Sequence, residues 1–153
     1  IILHRAIDTF TDTHSVMRKS VRRLFLVSSH YRTVIVYILY DHYLAYHWKD
    51  YSSITLDQYV QNFYNSLNKN YKVLPLKVQQ FLPYMIRDNW LLDYATIEGI
   101  GKILMQMDQR TGNKSKMDLA VHELKMFYPE FENEFKIFFK DLERFALERI
   151  PRL

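Results

Sequence analysis

The sequence predicts an all-α protein, and three observations carry that prediction. Glycine occurs three times and proline four times in 153 residues, too few turn formers for a sandwich or barrel of many short strands. Hydrophobic residues make up 48% and aromatics 16%, enough for a core and too many for wholesale disorder. Apolar positions recur at helical spacing along most of the chain. No repeat, low-complexity tract or Ser/Gly-rich linker divides it, so a single domain over residues 1–153 is expected, a compact bundle of about seven helices.

The elements follow in order. From Ser15, Val16, Val21, Leu24 and Phe25 form an apolar stripe, with Arg18, Lys19, Arg22 and Arg23 largely away from it. Arg32 to Lys49 contains the run VIVYILY, which could be a buried strand. The pattern continues through Leu44, Ala45 and Trp48, too long for a typical strand, so a central helix apolar on all sides is expected. Thr55 caps the next helix, with Gln58 completing a capping box and Tyr59, Val60, Phe63, Tyr64 and Leu67 as the buried stripe.

Pro75 begins another helix, carrying Val78, Phe81, Leu82, Met85, Ile86 and Trp90, and Pro83 should kink or restart it. Thr96, with Glu98 in the first turn, starts a helix through Ile100, Ile103 and Leu104 that ends near Arg110 to Asn113. Ser115 caps a helix bearing Met117, Val121, Leu124 and Phe127. Pro129 opens the last helix, whose apolar side is Phe131, Phe135, Phe138, Phe139, Leu142 and Phe145.

Composition narrows the function. The absence of cysteine excludes disulfide frameworks, thiolate metal sites and cysteine nucleophiles, and fits a reducing compartment such as the cytoplasm. No apolar run reaches the roughly 18 residues of a membrane span, and no signal peptide opens the chain, so no membrane partner is expected. The opening IILHR reads as the interior of an element, so a preceding natural segment is expected. A net charge of +4 is too mild for a dedicated nucleic-acid binder and points at most to a local basic face for an acidic partner.

Two constellations could carry chemistry. In LHRAIDTFTDTH, His4 and Asp8 are four apart and share a helix face, so they can grip one ion or hydrogen-bond each other as a surface pair. Asp12 and His14 follow, and Asp12 or Thr13 also suits an N-cap for the next helix. In YILYDHYLAYHW, Asp41 and His42 interrupt the most apolar helix. A buried Asp41 needs a cation, a donor set or a metal, and the alternative is a solvated stripe bonded to Lys or Arg. Two His-plus-Asp sets without cysteine offer mixed N/O ligands suited to Mn²⁺, Mg²⁺ or Fe²⁺. Such an ion would polarise a phosphoryl oxygen.

These motifs, with DNWLLDY further on, resemble the acyl carrier protein phosphodiesterase family. There the first motif reads roughly H-R-x-I-D-x-x-T-D and the second D-H-F/Y-L-x-x-x-W. The resemblance spans essentially the whole chain, including Arg110–Thr111 and the aromatic final helix. It implies a helical fold related to HD-type phosphohydrolases. It also implies hydrolysis of holo-acyl carrier protein to 4′-phosphopantetheine and the apo-protein, usually with Mn²⁺, within fatty acid metabolism. By position, His4, Asp8, Asp12, Asp41 and His42 are the implied metal residues, with Asp8 and Asp41 central to catalysis and His14 a candidate proton donor to the departing serine oxygen. One turn before Asp41 the family commonly has Asp, and here stands Tyr37, a poor ligand because its phenol stays protonated up to about pH 10.

Arg18, Lys19, Arg22 and Arg23 pair at spacings of four and form the candidate dock for an acidic carrier protein, or otherwise a solvated helix face. Arg110 could meet a phosphate or cap helix carbonyls. His30, His47 and His122 read as surface or rim histidines, and Trp48 and Trp90 as packing. The rival functions are a metal phosphohydrolase acting on nucleotides and a non-catalytic helical module that binds an acidic protein.

Overall fold

A computed structural model describes residues 2–150. Among them all regular structure is helical. The eight α-helices are α1 (Ile2–Thr13), α2 (Ser15–Arg23), α3 (Arg32–Tyr46), α4 (Leu56–Lys69), α5 (Leu76–Arg87), α6 (Ile97–Arg110), α7 (Ala120–Met126) and α8 (Tyr128–Arg149). Five short 3-10 helices join them, the longest being Trp90–Ala95. No helix among the described residues is long and apolar enough to cross a membrane. Contacts divide the chain into two compact units, Ile1–Tyr40 with Leu104–Leu153, and Asp41–Ile103.

In the first unit α1 and α2 pack on each other and on α8. Phe131, Phe135 and Phe138 of α8 are buried, as their spacing requires. Phe10 meets Phe145 at 4.3 Å between ring centres, and Tyr40 packs on Phe135 and Phe138 at 5.7 and 5.3 Å. Within this aromatic core Glu134 is buried with only 3% of its side chain exposed. Arg23 donates to its Oε1 from Nε and Nη2 at 2.9 and 2.7 Å, and Ser20 Oγ donates to Oε2 at 2.6 Å. Because the serine proton is committed to the carboxylate, the 2.7 Å contact between Ser20 and Tyr40 is a bond donated by the tyrosine.

That cluster rotates α2 relative to the expected stripe. Its buried face is Met17 and Ser20, continued by Leu24 just past the helix, while Val16 and Val21 are half-buried and Phe25 is 56% exposed. The joint before α2 also differs from expectation. The cap is His14, whose Nδ1 accepts the Val16 N–H at 3.2 Å, and not Asp12 or Thr13.

In the second unit Val60, Tyr64, Leu82 and Met85 form the core, with Leu67, Phe81, Trp90 and Leu91 packed around it. Thr55 caps α4 by accepting the Gln58 N–H at 3.1 Å, and Pro75 precedes α5, both as expected. Tyr59 and Phe63 stay exposed and Leu67 is partly buried, so Val60 and Tyr64 alone of the expected α4 stripe are core. Pro83 lies inside α5 without ending it. Thr96 accepts the Gly99 N–H at 3.0 Å at the start of α6. A side chain at Gly99 would have its Cβ 1.9 Å from the Asp93 carbonyl oxygen, so this approach of α6 to Trp90–Ala95 requires glycine.

After α6 the chain departs from expectation. Ser115 does not cap a helix: its hydroxyl donates to Asp108 at 2.5 Å, and the Met117 N–H reaches the same Oδ1 at 3.3 Å. A 3-10 helix at Met117–Leu119 precedes α7, and Pro129 then stands in the first turn of α8.

Replacing Glu134 with Ala leaves Arg23 and Ser20 without their acceptor inside the core. Urea unfolding should show a loss of about 3 kcal/mol. A loss under about 0.5 kcal/mol, the range of ordinary surface changes, would show that the cluster does not organise the unit.

Candidate functional site

The first motif lies along one face of α1 and stands open to solvent. His4 Nε2 is 3.3 Å from Asp8 Oδ2, with 79% and 58% of the side chains exposed. A pair so exposed adds little stability, and both side chains can turn toward an incoming cation. Asp12, one turn further, is engaged: the Tyr37 hydroxyl donates to its Oδ1. Burial, that hydrogen bond and the negative charges of Asp12 and Asp8 push the Tyr37 phenol well above its usual range. Tyr37 is therefore a fixed donor that occupies one oxygen of an expected ligand.

His14 is held in the joint between α1 and α2. Since Nδ1 accepts from Val16, the neutral ring carries its proton on Nε2, which donates to Asp141 Oδ2 at 3.1 Å. Phe10 and Phe138 flank the ring, each at 5.2 Å. Both nitrogens are thus engaged in hydrogen bonds at the joint between α1 and α2.

The second motif lies on α3. His42 is buried, and its Nδ1 donates to the Tyr94 carbonyl at 2.8 Å. The neutral ring then has its lone pair on Nε2, the tautomer that a backbone acceptor fixes in metal-ligating histidines. Asp41 lines a pocket of about 280 Å³ with Leu44, Ala45, Trp48, Leu56, Tyr59, Val60, Leu91 and Tyr94. The Asp41 side chain is exposed, the solvated alternative of the two expected, yet the surrounding protein strips part of its hydration and pushes its carboxyl up to about 6. None of the described residues lining the pocket is a cation, so nothing there offsets the shift. The remaining water access keeps the energetic cost of the charge modest.

The other expected residues separate. Arg18 and Arg22 are exposed on α2, four apart. Arg23 turns inward to Glu134, and Lys19 Nζ lies 3.7 Å from the same carboxylate. Arg110 is exposed in the last turn of α6. Among the described residues no three His, Asp or Glu side chains are gathered as a metal-holding cluster. The donors come as pairs whose nitrogen and oxygen chemistry suits a divalent ion.

Sequence reasoning missed the pocket. Asp41, Leu44, Ala45 and Trp48 follow the i, i+3, i+4, i+7 pattern of one helix face, a signal that could have placed Trp48 beside Asp41. Leu91 and Tyr94 come from a 3-10 segment with no such periodic mark.

The raised Asp41 carboxyl has a definite sign. The folded chain holds that proton more tightly than the unfolded chain, so the wild type loses stability as pH rises from the ordinary value of 3.8 through about 6. Relative to Asp41→Asn, chemical denaturation should therefore show the wild type falling behind across that window and level above it. Parallel curves for the two proteins would refute the shift.

Comparison with known proteins places these motifs. A family model described as acyl carrier protein phosphodiesterase matches residues 1–142. The chain is 28% identical over 143 residues to an acyl carrier protein phosphodiesterase of Photorhabdus laumondii, covering 91% of this chain and 71% of the relative. It is 27% identical over 150 residues to one of Pectobacterium atrosepticum, covering 95% and 76%. Against one of Klebsiella pneumoniae it is 22% identical over 147 residues, again covering 95% and 76%. No solved structure matches the chain. The family match takes in both the α1 and α3 motifs, and the chain belongs to the acyl carrier protein phosphodiesterase family.

Proposed function

We propose that this chain is a hydrolase that cleaves the phosphodiester of holo-acyl carrier protein, releasing 4′-phosphopantetheine and apo-acyl carrier protein. The observation that carries this reading is the family match over residues 1–142, supported by relatives of that name that align with nearly all of the chain.

The residues supply the parts such a reaction needs. On α1, His4 and Asp8 would hold a divalent ion, for which we favour Mn²⁺, and on α3 Asp41 and His42 form a second donor pair of the same chemistry. When bound, such an ion offsets the negative charge of the phosphodiester and eases attack by water. His42, fixed through the Tyr94 carbonyl, keeps its ring oriented. Relation to HD-type phosphohydrolases rests on the paired His and Asp donors on helices.

The protein partner is acidic in this reading. Arg18 and Arg22, exposed and four apart, present the basic face of α2, and Lys19 adds to it with 61% of its side chain exposed. Arg23 contributes less than the sequence implied, because Glu134 holds it. Such a face mainly speeds encounter and weakens as salt screens it.

Intact-mass measurement of the carrier protein tests the activity directly. The wild type should convert holo- to apo-protein, activity should vanish on chelation and return with Mn²⁺, and Asp8→Ala and Asp41→Ala should each lower turnover at least about a hundredfold while remaining folded. Full activity in both variants would sink the assignment. Charge reversal at Arg18 and Arg22 together should raise KM for the carrier protein at low salt, and the gap should close at higher ionic strength. A salt-independent defect would show that the face is not the dock.

A further inference from the structure

We infer that the pocket beside Asp41 is a subsite for the pantoyl segment of the prosthetic arm, the carbons next to the phosphate that carry two methyl groups and one hydroxyl. The inference rests on the reading that holo-acyl carrier protein is the substrate, and it names which part of that substrate the second unit recognises.

The size of the pocket argues for a segment and not the whole arm. Its volume of about 280 Å³ lies near the lower end for small-molecule sites. Its charge argues against the phosphate. Asp41 is the charged group in the lining. Among the described residues no Lys, Arg or His side chain lines the pocket to pair with a phosphate set among these apolar walls. A neutral segment needs no such partner.

The walls then fit a branched alkyl group bearing one hydroxyl. Leu44, Leu56, Val60 and Leu91 supply aliphatic surface, and the rings of Trp48 and Tyr59 meet at 4.7 Å to form an aromatic side. Two methyls on one carbon would bury well against such rings. Asp41 and the phenols of Tyr59 and Tyr94 bring polar groups to the lining, chemically able to accept from and donate to a single hydroxyl.

The wall is held in place before any ligand arrives. Trp48 Nε1 donates to the Ile54 carbonyl at 2.9 Å, fixing the indole, and the Tyr94 backbone is tied to His42. Preorganisation of this kind lowers the cost of binding a flexible arm. Tyr59 remains 46% exposed beside the buried Val60. Its ring closes the pocket edge.

Panthenol, the neutral alcohol carrying the pantoyl group, is the probe, with saturation-transfer NMR on the full chain. Saturable binding is expected, with the methyl protons receiving the strongest transfer. Tyr59→Ala and Leu56→Trp, checked for folding by circular dichroism, should weaken it about tenfold, the loss of one good contact. Both variants should raise KM for holo-carrier protein by a similar factor and leave hydrolysis of bis(4-nitrophenyl) phosphate, which has no pantoyl group, unchanged.

Failure of panthenol to bind, or binding unaltered in both folded variants, would overturn the subsite. Adenosine binding there in place of panthenol would overturn it in favour of a nucleoside pocket. The two readings separate cleanly: phosphopantetheine release without panthenol binding removes the subsite alone. Saturable panthenol binding by a chain that releases no phosphopantetheine supports the subsite and removes the activity.

Discussion

The first unit is organised around one buried carboxylate. Left without partners in an aromatic core, Glu134 would cost several kcal/mol. Arg23, Ser20 and, through Ser20, Tyr40 satisfy it, and these residues come from α2 and α3. One side chain on α8 therefore sets the rotation of α2. That rotation turns Arg23 inward and leaves Arg18 and Arg22 outward. The exposed basic pair Arg18 and Arg22 is thus a by-product of how a negative charge is neutralised beneath it.

The two motifs sit in different surroundings. On α1 the His4–Asp8 pair stands in water and can reorient at little cost. On α3 His42 is buried and oriented by a backbone carbonyl, beside an exposed Asp41. Tyr37 modifies the first arrangement by donating to Asp12, which ties α3 to the α1 motif.

Much of this was legible in the sequence, for reasons that also explain what was not. Thr55, Thr96 and the Pro129 turn announce helix starts because capping is a local interaction. The α8 stripe was legible because spacing alone decides it. The α2 stripe and the role of Ser115 were misread, since Glu134 and Asp108, distant or across a turn, claim Ser20 and Ser115. A warning was present: position 134 lies on the stripe with 131, 135 and 138, so an acid there had to be buried and had to find a base. At the site, the His4–Asp8 pair follows from its spacing, whereas Tyr94 and Leu91 join Asp41 only through tertiary packing.

Glu123 shows how far such control can reach. Its Oε1 accepts the N–H groups of both Phe25 and Leu26, at 2.5 and 3.0 Å, just where α2 stops. Those two donors are then unavailable for further helical turns, and nothing in the sequence after Arg23 otherwise forbids them. The length of α2 is accordingly written almost a hundred residues downstream. During synthesis on the ribosome, the N-terminal stretch emerges before its stop signal exists. The bonds that mark the end of this helix can form only once α7 has been made.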